Sequence, residues 1–383
     1  SGGETLTVKP VANSIFDLAG NASATSQSNN TKTLIDKLGP SITGIVIAND
    51  NSTVAVTLAE TAYPSTSNSG NLEAADFKLF INGGVATLSS STPSSFSKSS
   101  NVYTLGIPLN GTPSGAEVLK VEPVANSIYD ALDNISTTTQ SNNTANLKDK
   151  LAPTVSSVAV AANNATIAVT MSEAVFKASN GSGDLEKPDF SFTMSGGAAS
   201  LASATPTSIA KSGNVYTLGM NISGTPDGAE VIAVKPVVNS IYDAVGNVAI
   251  ANQSGNTANL KDKAVPIIAS VELANNNGTI KVTFSEPVFS KNDSSGTLDS
   301  LDFVFSLSGT GATLSQVNPT TITKEGNNYT LGIGIDGTPN GAETVKVVPA
   351  ENAIYDGAGN VAATTQNNNT KALNDKFAPI ISS

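Results

Sequence analysis

Several residue types are absent from the sequence, and their absence excludes most familiar active sites. Among the 383 residues there is no cysteine, histidine or tryptophan, and all 20 basic residues are lysine because arginine is absent too. Without cysteine or histidine the chain cannot build a Cys–His pair, a Ser–His–Asp triad, a disulfide framework or an ordinary zinc, copper or haem site. Any bound metal would be held by oxygen, which favours calcium or magnesium.

Charge and long apolar runs are also scarce. Charged residues make up 13% of the chain, and the net charge is -11. An acidic chain without arginine is not expected to bind a nucleic-acid backbone or an anionic membrane surface. No apolar run approaches the roughly 20 residues of a membrane helix, so we expect no membrane insertion of this segment.

What the sequence does contain is a repeat of 113 residues. Asp36, Asp149 and Asp262 stand in successive D-K-x-x-P segments at that spacing, and no insertion or deletion breaks the register between landmarks. Such regularity indicates a tandem array of one structural unit. The predicted segments are the late part of a truncated repeat (1–38), three complete repeats (39–151, 152–264 and 265–377) and the start of another (378–383). We expect the sequence to be a window on a longer protein.

Within the second repeat, apolar and polar residues alternate at period two, with turn signals about every ten residues. This pattern predicts seven strands, A to G, at 155–160, 167–175, 190–194, 201–209, 215–222, 231–237 and 248–260. Seven short antiparallel strands in one unit favour an immunoglobulin-like β-sandwich, and the absence of Cys and Trp excludes the antibody type. The fold class is therefore all-β, with tandem Ig-like sandwiches in an extended array. Tyr103, Tyr216 and Tyr329 fall on strand E, where core packing is favoured over sugar binding.

Short strings shared by the repeats resemble a known family. In the third repeat they are Ser285-Glu286-Pro287-Val288-Phe289, Gly296-Thr297-Leu298, Asp302-Phe303, Tyr329-Thr330-Leu331 and Ile354-Tyr355-Asp356 with Gly359-Asn360. The whole chain thereby resembles the bacterial Ig-like repeats of giant cell-surface adhesins and S-layer proteins. The first repeat departs most, with Ala59-Glu60-Thr61-Ala62-Tyr63 for S-E-x-V-F and Asp133 for the glycine. The resemblance implies an extracellular protein whose acidic loops bind Ca²⁺ at domain junctions.

The strand order also predicts which acidic residues meet. The linker, the end of strand B, the B–C loop and the F–G loop share one end of a sandwich, and the E–F loop of the preceding repeat, with Glu117, is expected to point at the same junction. One Ca²⁺ with six to eight oxygen ligands would relieve the repulsion between these carboxylates. The candidate ligands are Asp36, Glu60, Asp76, Asp130, Asp149, Glu173, Asp189, Asp243, Asp262, Glu286, Asp302 and Asp356. The alternative is that each D-x-x-G-N string is a plain turn and the linker acids are solvated.

Three functions are compatible with these patterns. A structural extender, a stalk or filament shaft stiffened by calcium, is favoured because the loops are rich in Ser, Asn and Gly and poor in aromatic residues. The alternatives are a glycan- or partner-binding adhesin module and a subunit of a laterally assembled coat or filament. Neighbouring repeats, and identical chains in a filament, are the expected partners. Catalysis is not expected, because the carboxylates recur with every repeat whereas an enzyme needs one site.

Overall fold

The computed structural model describes residues 2–379. Among these residues there are 29 strands, three short 3-10 turns and no α-helix, so the all-β prediction is confirmed. Since only single 3-10 turns occur, no helix in this part of the chain is long and apolar enough to cross a membrane.

The strand bounds follow the repeat. The N-terminal segment pairs β1 (Thr5–Thr7) with β2 (Thr31–Thr33). The first complete repeat contains β3 (Ile42–Ile47), β4 (Thr53–Leu58), a 3-10 turn (Ala74–Asp76), β5 (Phe77–Asn82), β6 (Thr87–Leu88), β7 (Phe96–Ser99), β8 (Val102–Gly106), β9 (Leu109–Asn110), β10 (Val118–Pro123) and β11 (Thr144–Asn146).

The next two repeats have the same elements in the same order. The second contains β12 (Val155–Val160), β13 (Thr166–Met171), a 3-10 turn (Lys187–Asp189), β14 (Phe190–Ser195), β15 (Ser200–Leu201), β16 (Ile209–Ser212), β17 (Val215–Gly219), β18 (Ile222–Ser223), β19 (Val231–Pro236) and β20 (Thr257–Asn259). The third contains β21 (Ile268–Leu273), β22 (Thr279–Phe284), a 3-10 turn (Ser300–Asp302), β23 (Phe303–Ser308), β24 (Ala312–Leu314), β25 (Ile322–Glu325), β26 (Asn328–Gly332), β27 (Ile335–Gly337), β28 (Thr344–Pro349) and β29 (Thr370–Ala372).

Strand pairing defines the immunoglobulin-like topology of each complete repeat. In the second repeat a four-stranded sheet has the order β12-β13-β17-β16 and a three-stranded sheet has the order β14-β19-β20, with β15 and β18 forming a separate ribbon. All these pairs are antiparallel. In strand letters the two sheets are A-B-E-D and C-F-G, which is the arrangement of a constant-type immunoglobulin domain. The prediction of tandem Ig-like sandwiches is therefore confirmed.

Each complete repeat encloses its own hydrophobic core. The three buried clusters run from Ile42 to Leu147, from Val155 to Leu260 and from Ile268 to Leu373. At the centre of each lies a tyrosine of strand E that is at most 1% exposed, against a phenylalanine that opens strand C, with ring centroids 5.7–5.9 Å apart. The expectation that these tyrosines serve packing is confirmed. The chain divides into two compact units, Ser1–Ala152 and Pro153–Ser383, and the boundaries of the five sequence segments stay a prediction.

Strands B, D, E and G differ from the sequence prediction. Strand B ends at Met171 rather than near Val175. The expected D strand is two short strands, β15 and β16, because Pro206 between them has no N–H to donate and the chain changes partner there, from β18 to β17. Strand E is also interrupted, because its two halves, β17 and β18, belong to different sheets.

The G segment pairs over only three residues, Thr257–Asn259. Before that, side-chain amides take the place of ladder hydrogen bonds. Gln253 Oε1 accepts the backbone N–H of Val155 at 2.6 Å, and Asn256 Nδ2 donates to the carbonyl of Val234 at 2.7 Å. The alternation of apolar residues in this segment therefore reflects attachment to the sandwich rather than a continuous strand.

Candidate metal centre

Two groups of three carboxylates lie at equivalent places, one in each compact unit. Asp36, Glu60 and Asp130 form the group of the first unit, and Asp262, Glu286 and Asp356 form that of the second. In each group the oxygens lie within 4.8 Å of one another. Beside the first group is a cavity of about 310 Å³ that Asp36, Glu60, Leu38, Gly39, Ser41 and Ala59 line. The predicted meeting of the linker, the end of strand B and the F–G loop thus occurs in both units.

The F–G aspartate is held in place by its own turn. Asp356 is 0% exposed, its Oδ1 accepts the N–H groups of Ala358 and Asn360 at 2.8 Å, and its Oδ2 accepts Asn360 Nδ2 at 2.7 Å. Asp130 makes the same bonds in the first repeat, with Leu132 and Asn134. The hydrogen bonds of this aspartate are therefore explained by a plain turn, without a metal ion.

The linker aspartate is positioned by the repeat that precedes it. Asp262 Oδ1 accepts the N–H of Ala264 at 2.8 Å, and the N–H of Lys263 donates to the carbonyl of Pro226 at 2.8 Å. Asn164 lies in the A–B turn. Its Oδ1 accepts the backbone N–H of Lys261 at 2.8 Å, and its Nδ2 donates to the carbonyl of Lys261 at 2.6 Å. We call this pair of bonds the amide clamp. Asn51 with Lys148 and Asn277 with Asn374 form the same clamp in the other repeats.

In each group of three carboxylates, the glutamate after strand B is the one whose position no turn explains. Within the described residues Glu286 accepts no hydrogen bond and has no cationic partner. Burial, together with the charges of Asp356 and Asp262, raises the pKa of Glu286 to about 7. Burial and the charges of Asp130 and Asp36 likewise raise the pKa of Glu60. Glu286 therefore faces two carboxylates whose repulsion no described cationic side chain relieves.

The remaining F–G and B-strand candidates belong to the second repeat. Asp243 is 0% exposed and accepts three backbone N–H groups, of Val245, Gly246 and Asn247, at 2.7–2.9 Å. Glu173 follows strand β13 and is half-buried. Asp149 belongs to the other compact unit, where its Oδ1 accepts the N–H of Leu151 at 2.9 Å.

The three aspartates before strand C do not join the carboxylate groups of the described residues. Asp76, Asp189 and Asp302 each end a 3-10 turn, and Oδ2 of each accepts, at 2.7 Å, the N–H of the residue three positions earlier. Burial raises the pKa of Asp76 and of Asp302. These carboxylates cap the turn that starts strand C, and their role as metal ligands stays a prediction.

Glu117 does not point at the junction as the sequence suggested. It is 0% exposed, and its Oε1 accepts the N–H groups of Val85 and Ala86 at 2.7 and 2.9 Å while its Oε2 accepts that of Ser114 at 2.9 Å. The reason is that the C–D turn presents backbone donors that need a buried acceptor. Glu230 and Glu343 are buried in the same way. The glutamate recurs in each G-T-P-x-G-A-E string, but this recurrence does not show which way the side chain points.

The E–F loop nevertheless adds one acid that the sequence analysis missed. Asp227 lies close enough for its charge to contribute to the raised pKa values of Glu286 and Asp262. The equivalent positions in the other repeats hold Ser114 and Asn340. The group of the second unit therefore has an additional negative charge nearby.

Comparison with known proteins adds little to this description. No protein-family model matches the chain, and no curated protein matches it. Among solved structures it is similar to the I9-I11 tandem from titin (12% identity, TM-score 0.20, 82% of this chain and 91% of that chain) and to the I-band fragment I67-I69 from titin (10%, 0.23, 82% and 94%). It is also similar to the S-layer protein rSbsC(31-844) at 14% identity and a TM-score of 0.21, over 82% of this chain and 53% of that one. Because these TM-scores are low, the fold class rests on the strand pairing above.

Proposed function

We propose that the chain is a structural extender of an extracellular cell-surface protein, in which Ca²⁺ at the ends of successive repeats stiffens the joints. The observation that supports it most is the carboxylate group Asp262, Glu286 and Asp356, which combines a linker fastened to one repeat with two acids of the next. An ion bound there would tie independent segments of chain together. Ca²⁺ takes oxygen ligands at about 2.3–2.6 Å in flexible geometry, so one ion can reach all three carboxylates.

A purely structural role accords with the repetition. The second and third repeats bury most of their large aromatic side chains in the core, and the acidic group recurs with the repeat instead of standing once as an active site would. Neighbouring repeats would be the principal partners, and identical chains could associate side by side in a filament. The non-enzymatic assignment and the cell-surface location are parts of the same proposal.

The calcium part of the proposal is tested by calorimetry. Added Ca²⁺ should raise the melting temperature, because an ion that binds only the folded junction stabilises it by about 2.7 kcal/mol at a hundred times its dissociation constant. Glu286→Gln removes one ligand charge and should reduce this increase. Glu325→Gln, an exposed carboxylate on strand β25 of the same repeat, is the matched control and should respond like the unaltered chain.

Two results would count against calcium. One is a melting curve that superimposes with and without chelator, and the other is an equal calcium response in Glu286→Gln and the unaltered chain. Either would favour the alternative of plain F–G turns without a metal ion.

A further inference from the structure

The outer face of the C-F-G sheet in the first repeat has an aromatic patch that the other two complete repeats lack. On strand β5, Lys78, Phe80 and Asn82 alternate with the core residues Phe77 and Leu79. Phe80 is half-buried although it faces away from the core. The equivalent positions hold Thr193 and Ser306, so the fold itself does not require an aromatic residue there.

Strand pairing places polar groups around this ring. Phe80 is directly opposite Lys120 on β10, and Lys120 is opposite Thr144 on β11. In the next row Asn82 is opposite Val118. Phe80, Ile81, Asn82, Val118, Lys120 and Thr144 line a concavity of about 380 Å³. The result is an apolar floor with amide, hydroxyl and ammonium groups at its rim.

Two ammonium groups lie against the aromatic ring. Lys120 Nζ is 4.9 Å from the ring centroid of Phe80, and Lys78 Nζ is 5.2 Å from it. Lys120 also forms an ion pair with Glu122 at 2.8 Å, whereas Lys78 is exposed. On a chain of net charge -11, this is a local cationic surface beside an apolar one.

We infer that this patch binds an acidic pyranose unit of a polysaccharide. The C–H face of a pyranose ring is an apolar surface that matches the floor of Phe80 and Val118. Its carboxylate would pair with Lys78 and Lys120, whose ammonium groups would move from the ring of Phe80 to the carboxylate as the sugar packs on that ring. Its hydroxyl groups would pair with Asn82 and Thr144. A neutral sugar would lack the charge-assisted bonds, and a carboxylate without a ring would lack the apolar contact. This site is separate from the proposed calcium centre and does not depend on it.

The test is NMR titration of the full chain with trigalacturonate. Backbone amide shifts should change on β5, β10 and β11, and not at the equivalent strands of the other repeats. Phe80→Thr should weaken binding at least about tenfold, and it is tolerable for the fold because threonine occupies the equivalent position 193. Lys120→Ala should weaken binding too, and added salt should weaken it in the unaltered chain.

Two further variants distinguish binding from general stability. Glu122→Gln frees Lys120 from its ion pair and should tighten binding of trigalacturonate. The combined substitutions Ser191→Lys, Thr193→Phe and Ala233→Lys transfer the patch to the second repeat and should create a second binding site. A merely structural role of Phe80 would produce neither effect.

Two ligand controls assign the chemistry. The trimethyl ester of trigalacturonate keeps the rings without the charge, and tricarballylate keeps three carboxylates without the rings. Both should bind more weakly. Equal binding of either control, undiminished binding in Phe80→Thr, or no shift change at millimolar trigalacturonate would each overturn the inference.

Discussion

At the residue scale, the buried glutamates Glu117, Glu230 and Glu343 show how one carboxylate joins two loops. Burial alone would raise the pKa of Glu230, but the backbone N–H groups of Ala199 and Asp227 that donate to it outweigh this effect, and its pKa lies below the ordinary value. The ionised side chain is therefore the form that the fold requires. It satisfies donors of the C–D turn and the E–F loop at once.

Glu230→Gln should destabilise the second repeat. The amide NH₂ cannot accept, so a buried backbone donor would lose its partner at a cost of about 1–3 kcal/mol. Urea unfolding measures the change, and Glu272→Gln, on the exposed side of β21, is the control. A loss no larger than that of the control would show that the carboxylate contributes nothing.

The same substitution changes the pH dependence in a definite direction. Because the folded-state pKa of Glu230 is lowered, its stabilisation is present above its unfolded pKa, about 4.3, and is lost as the pH falls through the folded value. The unaltered chain should lose more stability than Glu230→Gln on acidification from about pH 5 to pH 3. Parallel curves would contradict this.

At the element scale, local alternation was enough to predict strands A, C and F but not D, E and G. Strands such as β14 and β19 carry apolar residues at every second position and pair over six residues. The break of D and E depends on which sheet each half joins, which is a tertiary choice. The G segment depends on the side chains of Gln253 and Asn256, whose partners lie far away in the sequence.

The candidate site was predictable to a similar extent. The strand order brings the linker, the end of strand B and the F–G loop together. Asp36, Glu60 and Asp130 could therefore be grouped from the sequence. Whether a loop carboxylate points outward or inward depends on nearby backbone donors. For that reason the inward orientation of Glu117 and the capping role of Asp76 were not predictable from the sequence.

The amide clamp is an element-scale feature that can be tested with two substitutions. Asn164 has a φ of 57°, a left-handed conformation that glycine adopts freely and alanine does not. Asn164→Gly should remove only the bonds to Lys261, whereas Asn164→Ala should add a backbone cost of about 1–2 kcal/mol.

Hydrogen exchange at the Lys261 amide measures the clamp directly. Exchange should be faster in both variants, and only Asn164→Ala should show the larger loss in unfolding free energy. Unchanged protection of Lys261 in Asn164→Gly would show that the linker is held by other contacts.

At the scale of the whole molecule, the proposed role predicts a calcium-dependent shape in solution. Strands of six residues at roughly 3.3 Å each span about 20 Å, and in an end-to-end array the loops at both ends and the linker would lengthen the step from one repeat to the next. Small-angle scattering with Ca²⁺ should give the profile of a rod, and a chelator should lower the apparent stiffness. A compact particle under both conditions would contradict the extender role.

The hydrogen bonds that hold each outgoing linker to its own repeat also bear on how whole repeats could be exchanged. Since the D-K segment after each complete repeat is bound to that repeat, a recombination crossover placed just after the segment would transfer a sandwich with its own outgoing linker intact. Gain or loss of such a cassette would change the length of the array in whole repeats, and every remaining joint would keep its linker aspartate, its strand-B glutamate and its F–G aspartate. The length of the array could therefore change by unequal crossing-over without breaking the bonds between a linker and its repeat.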